Sequence, residues 1–500
     1  MIPFGEYVPD APGNLSVLVG GSNVFARPNK TYGPVASFMA AFTALAQRCQ
    51  GAFYSNDSGG NVALWAGTAG KLYKSSSGAT FSDVSKSATT YACASNEFWE
   101  FTQFGQRVLA TNVADAIQTY TLGSSSLFDN LLSSGAQPKA RHMDVVANFL
   151  MLGNTNDGTY GAQTDGMWWS AIGDPTSFPT AGTSAAAAVQ SGRVNIYGNG
   201  GWVQKIIPRV GTLDAVILQE RAVFRCIYVG TPEVFAFQPM EGGIGTPSPG
   251  SVARFKGWFI YLGEDGFYLC DGTTSHPIGA GKVDKTFYQT VNQSLLYRIA
   301  AVIDPINKLY IVAYPSVSSG GDPDTLLMYS WAAQQWSPPT SVTTEFLTTL
   351  GSVGYTLEQL DAFGTLETLP ASLDSRIWAG NGKPALAAFN SSHQLGFFTG
   401  SNMAAQLETG DADGQGRRFF VRGYRPIVSG ATATVTAKLG YRETQNESVT
   451  YGSSTSLNRM KVAPMRKNTR HPRFVTDIAA ASDWTHANGG EPLMDDAGGA

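Results

Sequence analysis

One plan recurs along this chain: a short apolar run, a glycine turn, a second run carrying aromatics, then a polar turn. It reads Trp65-Ala66-Gly67-Thr68-Ala69-Gly70-Lys71-Leu72-Tyr73 and again Tyr261-Leu262-Gly263-Glu264-Asp265-Gly266-Phe267-Tyr268-Leu269-Cys270-Asp271-Gly272. A third instance is Leu326-Leu327-Met328-Tyr329-Ser330-Trp331 followed by Gln335-Trp336-Ser337. Short aromatic and β-branched runs bounded by glycine are strands, and the Asp-Gly pairs supply the residues that tight hairpin turns require. A hairpin cannot bury both faces alone, so a repeated one stacks on its neighbours, as propeller blades do. The predicted fold class is all-β with a β-propeller core. A stack of unrelated hairpins in β-sandwiches is the alternative, and the repeat is too degenerate to give a blade number.

Helical periodicity is scarce. Its best instance runs from Val35 to Cys49, where Phe38, Met39, Phe42, Leu45 and Ala46 recur at helix spacing. The expected organisation is an N-terminal arm with a short helix over 1–50 and a propeller core over 51–410. A basic β-rich segment over 411–485 and a flexible tail over 486–500 follow. The Ala- and Ser-rich stretch Thr180 to Ser191 and the stretch Ser316 to Asp324 read as loops or linkers.

The 500 residues allow several domain-sized units, and only 14% are charged while 11% are aromatic. That balance suits strands joined by tight turns and a subunit that buries surface against neighbours. A formal net charge of -4 does not mark a general nucleic-acid binder. Cys49, Cys93, Cys226 and Cys270 are widely spaced, without a CxxC pair, and read as buried thiols of a cytoplasmically folded protein. The first residues lack the blocks of a signal peptide, and no apolar run approaches a membrane span, so an integral membrane protein is not expected.

No chemistry-bearing motif stands out. The five histidines form neither HExxH nor HxH, no Gly-x-Ser-x-Gly elbow occurs, and the glycine-rich stretches lack the Lys-Ser/Thr of a phosphate loop. Asp411-Ala412-Asp413-Gly414 lacks the downstream ligands of a calcium loop. The expectation is therefore no enzyme, no metal and no cofactor. Sugar hydrolysis needs only two carboxylates at the right separation, which sequence does not exclude; Glu264 with Asp265 reads as turn chemistry. Trp168, Trp169, Trp331, Trp336 and Trp378 read mostly as core.

Four stretches resemble the packaged-DNA stabilisation and tail hub (nozzle) proteins of short-tailed bacteriophages. The first is Trp99-Glu100-Phe101-Thr102-Gln103-Phe104-Gly105-Gln106-Arg107-Val108-Leu109-Ala110-Thr111-Asn112 with Gln118-Thr119-Tyr120. The second is Trp169-Ser170-Ala171-Ile172-Gly173-Asp174-Pro175 with Phe178. The third runs from Tyr228-Val229-Gly230 through Gly242-Gly243-Ile244-Gly245 and Gly263-Glu264-Asp265-Gly266 to Lys282-Val283-Asp284. The fourth is Tyr355-Thr356-Leu357-Glu358-Gln359-Leu360-Asp361 with Leu369 to Ser375. The resemblance spans most of Trp99 to Thr409, and its order along the chain is more specific than any single phrase. It implies a virion structural protein with no catalytic residues, folded in the bacterial cytoplasm and placed in the tail. It further implies a homo-oligomeric ring, usually sixfold, below the portal adaptor ring. Such a ring forms the DNA conduit, retains packaged DNA until ejection, and carries fibres, spikes or a tip plug. A carbohydrate- or receptor-binding propeller of a tail appendage, with or without hydrolase activity, is the alternative function.

Cations concentrate near the C-terminus at Arg417, Arg418, Arg422, Arg425, Lys438, Arg442, Arg459, Lys461, Arg466, Lys467, Arg470 and Arg473. Between 415 and 475 only Glu443 and Glu447 oppose them. An acidic neighbouring ring, channel phosphates or plain solvent would each accommodate this segment. Strand alternation would put Arg418, Phe420, Arg422 and Tyr424 on one side.

Overall fold

A computed structural model describes residues 2–11, 16–87, 89–133, 137–240, 242–351, 384–412, 417–430 and 433–499, with a few positions between. The stretch Tyr355 to Gln359 of the fourth resembling segment lies outside the described residues.

The hairpin plan becomes seven four-stranded antiparallel sheets among the described residues. Blade 1 is built from Gly51–Asn56, Val62–Gly67, Leu72–Ser75 and Ser82–Asp83, and blade 2 runs from Glu100–Phe104 to Asp129–Asn130. Blade 3 runs from Ala140–Val146 to Gly192–Asn195, and blade 4 from Val203–Val210 to Val234–Pro239. Blade 5 runs from Ala253–Phe255 to Ser275–Pro277, and blade 6 from Ala300–Asp304 to Gln335–Ser341. First strands of neighbouring blades touch around the axis, blade 7 touching blade 1, and blades 4 and 5 share a core of Ile207, Val216, Phe259 and Tyr261, so the sheets form a closed seven-bladed β-propeller.

Blade 7 joins the two ends of the chain. Its inner strands are Phe346–Gly351, Pro384–Phe389 and Leu395–Asn402, and its outer strand is Ala36–Ala40 from the N-terminal segment. The helix expected between Val35 and Cys49 is therefore a strand followed by an irregular segment. Pairing with Leu395–Asn402 outweighs the helix-like spacing, and Phe42, Leu45 and Cys49 bury themselves against blades 1 and 7 instead. The approach is close enough that a Cβ at Gly396 would lie 2.2 Å from the Met39 carbonyl oxygen, so only glycine fits there.

The turn chemistry holds. Gly272 adopts a φ of +89° in the turn of blade 5, where the Asp271 carboxylate accepts from the Thr273 amide at 2.7 Å. The Asp265 carboxylate accepts from the Tyr268 hydroxyl at 2.8 Å, which accounts for it within the hairpin. All four cysteines are free and buried. Thr180 to Ser191 contains a short helix, Ser184–Ala188, whose N-terminal amide at Ala186 is capped by the Thr183 side chain.

Two six-stranded sheets form a second lobe from both ends of the chain. One orders Val24–Ala26, Tyr32–Pro34, His486–Gly499, Arg417–Ser429 and Ala463–Thr469, with Ile2–Pro3 also on His486–Gly499. The other orders Leu18–Ser22, Ala405–Thr409, His471–Ile478, Val435–Arg442 and Thr450–Tyr451, with Thr455–Ser456 also on Val435–Arg442. Val421, Tyr424, Leu439, Met465 and Phe474 fill the space between, with Tyr424 and Phe474 stacked at 4.7 Å.

Two boundary expectations change accordingly. The tail over 486–500 is a strand up to Gly499, paired from Ser429↔His486 to Arg417↔Gly499, because the polar tail completes a sheet that the local pattern does not reveal. The N-terminal arm is likewise lobe and blade rather than a free extension. The lobe packs on blades 5 and 6 through one continuous core that includes Leu18, Tyr32, Trp484, Phe267 and Trp336.

Candidate functional site: a basic lobe edge and a polar cavity on the propeller axis

Half of the twelve cations of the C-terminal segment are paired with acids that lie outside the window in which they cluster. Arg417 meets Asp496 at 2.8 Å, Arg422 meets Asp495 at 2.9 Å and Arg425 meets Glu491 at 2.9 Å, all across the pairing with His486–Gly499. Arg418 pairs with Glu443 at 3.0 Å and Lys438 with Asp477 at 3.6 Å. Arg473 reaches Asp411 at 2.6 Å and Glu408 at 3.0 Å, and Arg442 shares Asp411. Burial opposes the Arg473 charge, but these two carboxylates outweigh it and push its pKa further up.

The strand Arg417–Ser429 does not keep simple alternation. A bulge between Val421 and Gly423 leaves Phe420 and Arg422 exposed and turns Tyr424 into the lobe core, so the expected single face of Arg418, Phe420, Arg422 and Tyr424 is broken.

Five cations remain without an ion-pair partner among the described residues: Arg459, Lys461, Arg466, Lys467 and Arg470. They lie on the edge strand Ala463–Thr469 and the turns at its two ends, and the outer edge of that strand has no strand partner among the described residues. Lys467 sits over the Tyr441 ring at 4.1 Å, while Met460, between Arg459 and Lys461, is 70% exposed.

A second site was not legible in the sequence. At the end of the axis where the first strands of the blades begin, a cavity of about 420 Å³ is lined from blades 2, 3, 4, 6 and 7 and from the segment leading into blade 5. One wall is polar. Glu100, at the start of blade 2, accepts from His142 Nδ1 at 2.8 Å and pairs with Lys205 of blade 4, while Arg141 meets Glu97 at 2.5 Å. Glu220 accepts from the Trp202 amide at 3.3 Å, and the Arg141 guanidinium stands over the Trp202 ring at 5.1 Å. The other wall holds Phe98 and Phe346, 6.1 Å apart, and Tyr297.

Burial works against the Glu100 charge, yet Lys205 and His142 hold its carboxyl at about 2. Burial pushes the His142 imidazole below its ordinary range, with the Glu100 bond opposing. The neutral ring donates from Nδ1 to Glu100, leaving the buried Nε2 as an acceptor without a protein partner.

Behind this wall, Asp144 is raised to about 6, by burial first and then by the Glu100 charge. A folded pKa above the unfolded value means that ionised Asp144 costs stability above about pH 6 and nothing below about pH 4. Asp144→Asn keeps an oxygen for the Thr102 hydroxyl and the Val145 amide. It is expected to stabilise the chain by about 1–2 kcal/mol at pH 8. That gain should vanish at about pH 4 in paired denaturant titrations; a gain independent of pH contradicts it.

No family model and no curated protein matches the chain. Solved structures similar to it include the WD40 β-propeller domain of Doa1, with 8% identity, a TM-score of 0.36, and coverage of 73% of this chain and 95% of that one. A chain of the mitotic checkpoint complex has 10% identity, a TM-score of 0.38, and coverage of 72% and 93%. The propeller assignment rests on the seven blades themselves. Among the described residues no helix is long and apolar enough to cross a membrane, and no three His, Cys, Asp or Glu residues group as metal ligands.

Proposed function

We propose that this chain is a non-enzymatic structural subunit of a bacteriophage tail, a hub or nozzle protein that forms a ring below the portal adaptor, encloses the exiting DNA and carries fibres or spikes. The observation that carries the reading is the group of five unpaired cations beside an open strand edge. The remainder of the chain holds the acid excess behind the net charge of -4, and in this reading the edge meets acidic side chains of a neighbouring copy. A basic patch meeting a different, acidic patch is a heterologous contact, which builds a ring when the rotation between copies closes and a filament when it does not. The resemblance of the Trp99 to Thr409 stretches to tail hub proteins supports the same role.

In this reading the DNA passes between copies. The axis of one propeller ends in a cavity of about 420 Å³ lined by side chains. A duplex whose major groove alone is about 12 Å wide does not pass through it.

The test is cryo-electron microscopy of particles containing this chain. A ring with an open central bore below a portal supports the proposal, and peripheral copies without a bore overturn it. In parallel, Arg459, Arg466 and Arg470 replaced together by Glu should leave the monomer folded and reduce its incorporation at least about tenfold, a loss of about 1.4 kcal/mol in association. Unchanged incorporation would mean that this edge faces solvent.

A further inference from the structure

None of the residues lining the cavity on the propeller axis belongs to the basic edge, and we propose that this cavity binds a neutral polyhydroxylated ligand the size of a mono- or disaccharide. Its volume of about 420 Å³ lies in the range of small-molecule sites, roughly 300–1,000 Å³. Its two walls differ in the way such a ligand requires. Trp202, 43% exposed, together with Tyr297, Phe98 and Phe346 offers apolar faces to the C–H side of a sugar ring. Glu97, Glu220, Gln204 and His142 offer hydrogen-bonding groups to its hydroxyls.

Charge selects against anions. The two cations, Arg141 and Lys205, are already committed to Glu97 and Glu100, so an anion finds no free partner. Of the three carboxylates lining the cavity Glu220 alone has no ion pair among the described residues, and a cation drawn to it is the competing outcome that the choline control reads. A hydroxyl both donates and accepts without disturbing either pair.

The experiment uses the full chain with D-glucose, D-galactose, N-acetyl-D-glucosamine and maltose as probes, and inorganic phosphate and choline as charged controls. Binding is followed by saturation-transfer NMR and tryptophan fluorescence. At least one sugar is expected to bind saturably, and Trp202→Ala and Glu220→Gln should each weaken it about tenfold or more while circular dichroism is unchanged. Because Glu220→Gln keeps size and shape, it serves even if the tryptophan variant folds poorly. No binding by any of the four sugars, binding indifferent to both substitutions, or tighter binding of phosphate or choline would overturn the proposal. The variant with glutamates at the basic edge should bind sugar normally, which separates failure here from failure of the ring reading.

Discussion

Replacing Asp411 by Ala is expected to cost about 3–5 kcal/mol of unfolding free energy, the range for a buried ion pair that loses one partner. Asp411 is 5% exposed and serves two guanidiniums, Arg442 and Arg473, whose side chains are 20% and 13% exposed. Removing it strands both cations, with Glu408 left to serve Arg473 alone. Because the group is shielded from solvent, the loss should persist at about 1 M salt, where the Debye length has shrunk to about 3 Å. Arg417→Ala, by contrast, removes an ion pair whose partners are 67% and 50% exposed, and it should shift the denaturation midpoint little. Equal effects of the two substitutions in urea titrations would refute this account.

Trp336→Ala is expected to destabilise by a further about 3–5 kcal/mol, as large-to-small changes in a tight core do. Trp336 is fully buried in the outer strand of blade 6, with its ring 5.0 Å from those of Phe267 and Tyr329. Its indole N–H donates to the Ile278 carbonyl at 2.8 Å, and its own amide donates to Glu6 at 3.1 Å. It therefore ties blade 5, blade 6 and the N-terminal segment together. Truncation leaves a cavity at the junction of propeller and lobe and an unsatisfied carbonyl beside it. The denaturation midpoint should fall well below that of wild type, whereas Trp202→Ala, at an exposed ring, should stay near it. A midpoint for Trp336→Ala matching that of Trp202→Ala would show the junction to be incidental to stability.

The acid limb of the stability profile follows from the same cavity wall that frames the proposed ligand site. Glu100, held at about 2, contributes stability that is fully present above its unfolded value near 4.5 and is lost as the pH falls toward 2. Asp144 acts in the opposite direction over about pH 4 to 6, so its cost sets in as the Glu100 contribution reaches its full value.

Sequence alone determined the parts of this protein that depend on residues near one another in the chain. Hairpins with Asp-Gly turns need only neighbours to form, and their failure to bury both faces favoured stacked blades over separate sandwiches, so the propeller class and the four buried thiols were legible. The C-terminal cations were visible as a cluster. Their neutralisation was not, because Asp411, Glu491, Asp495 and Asp496 reach them only through sheet pairing.

Tertiary structure decided what depends on distant segments meeting. It placed Ala36–Ala40 in blade 7 rather than in a helix, made the polar stretch His486–Gly499 a central strand, and fixed the blade number at seven. It also brought Glu100, His142 and Lys205 from three blades to one wall of the axis. No spacing rule could announce that cluster, since each member is a single polar residue at the start of its own strand. Only closure of the ring makes them neighbours.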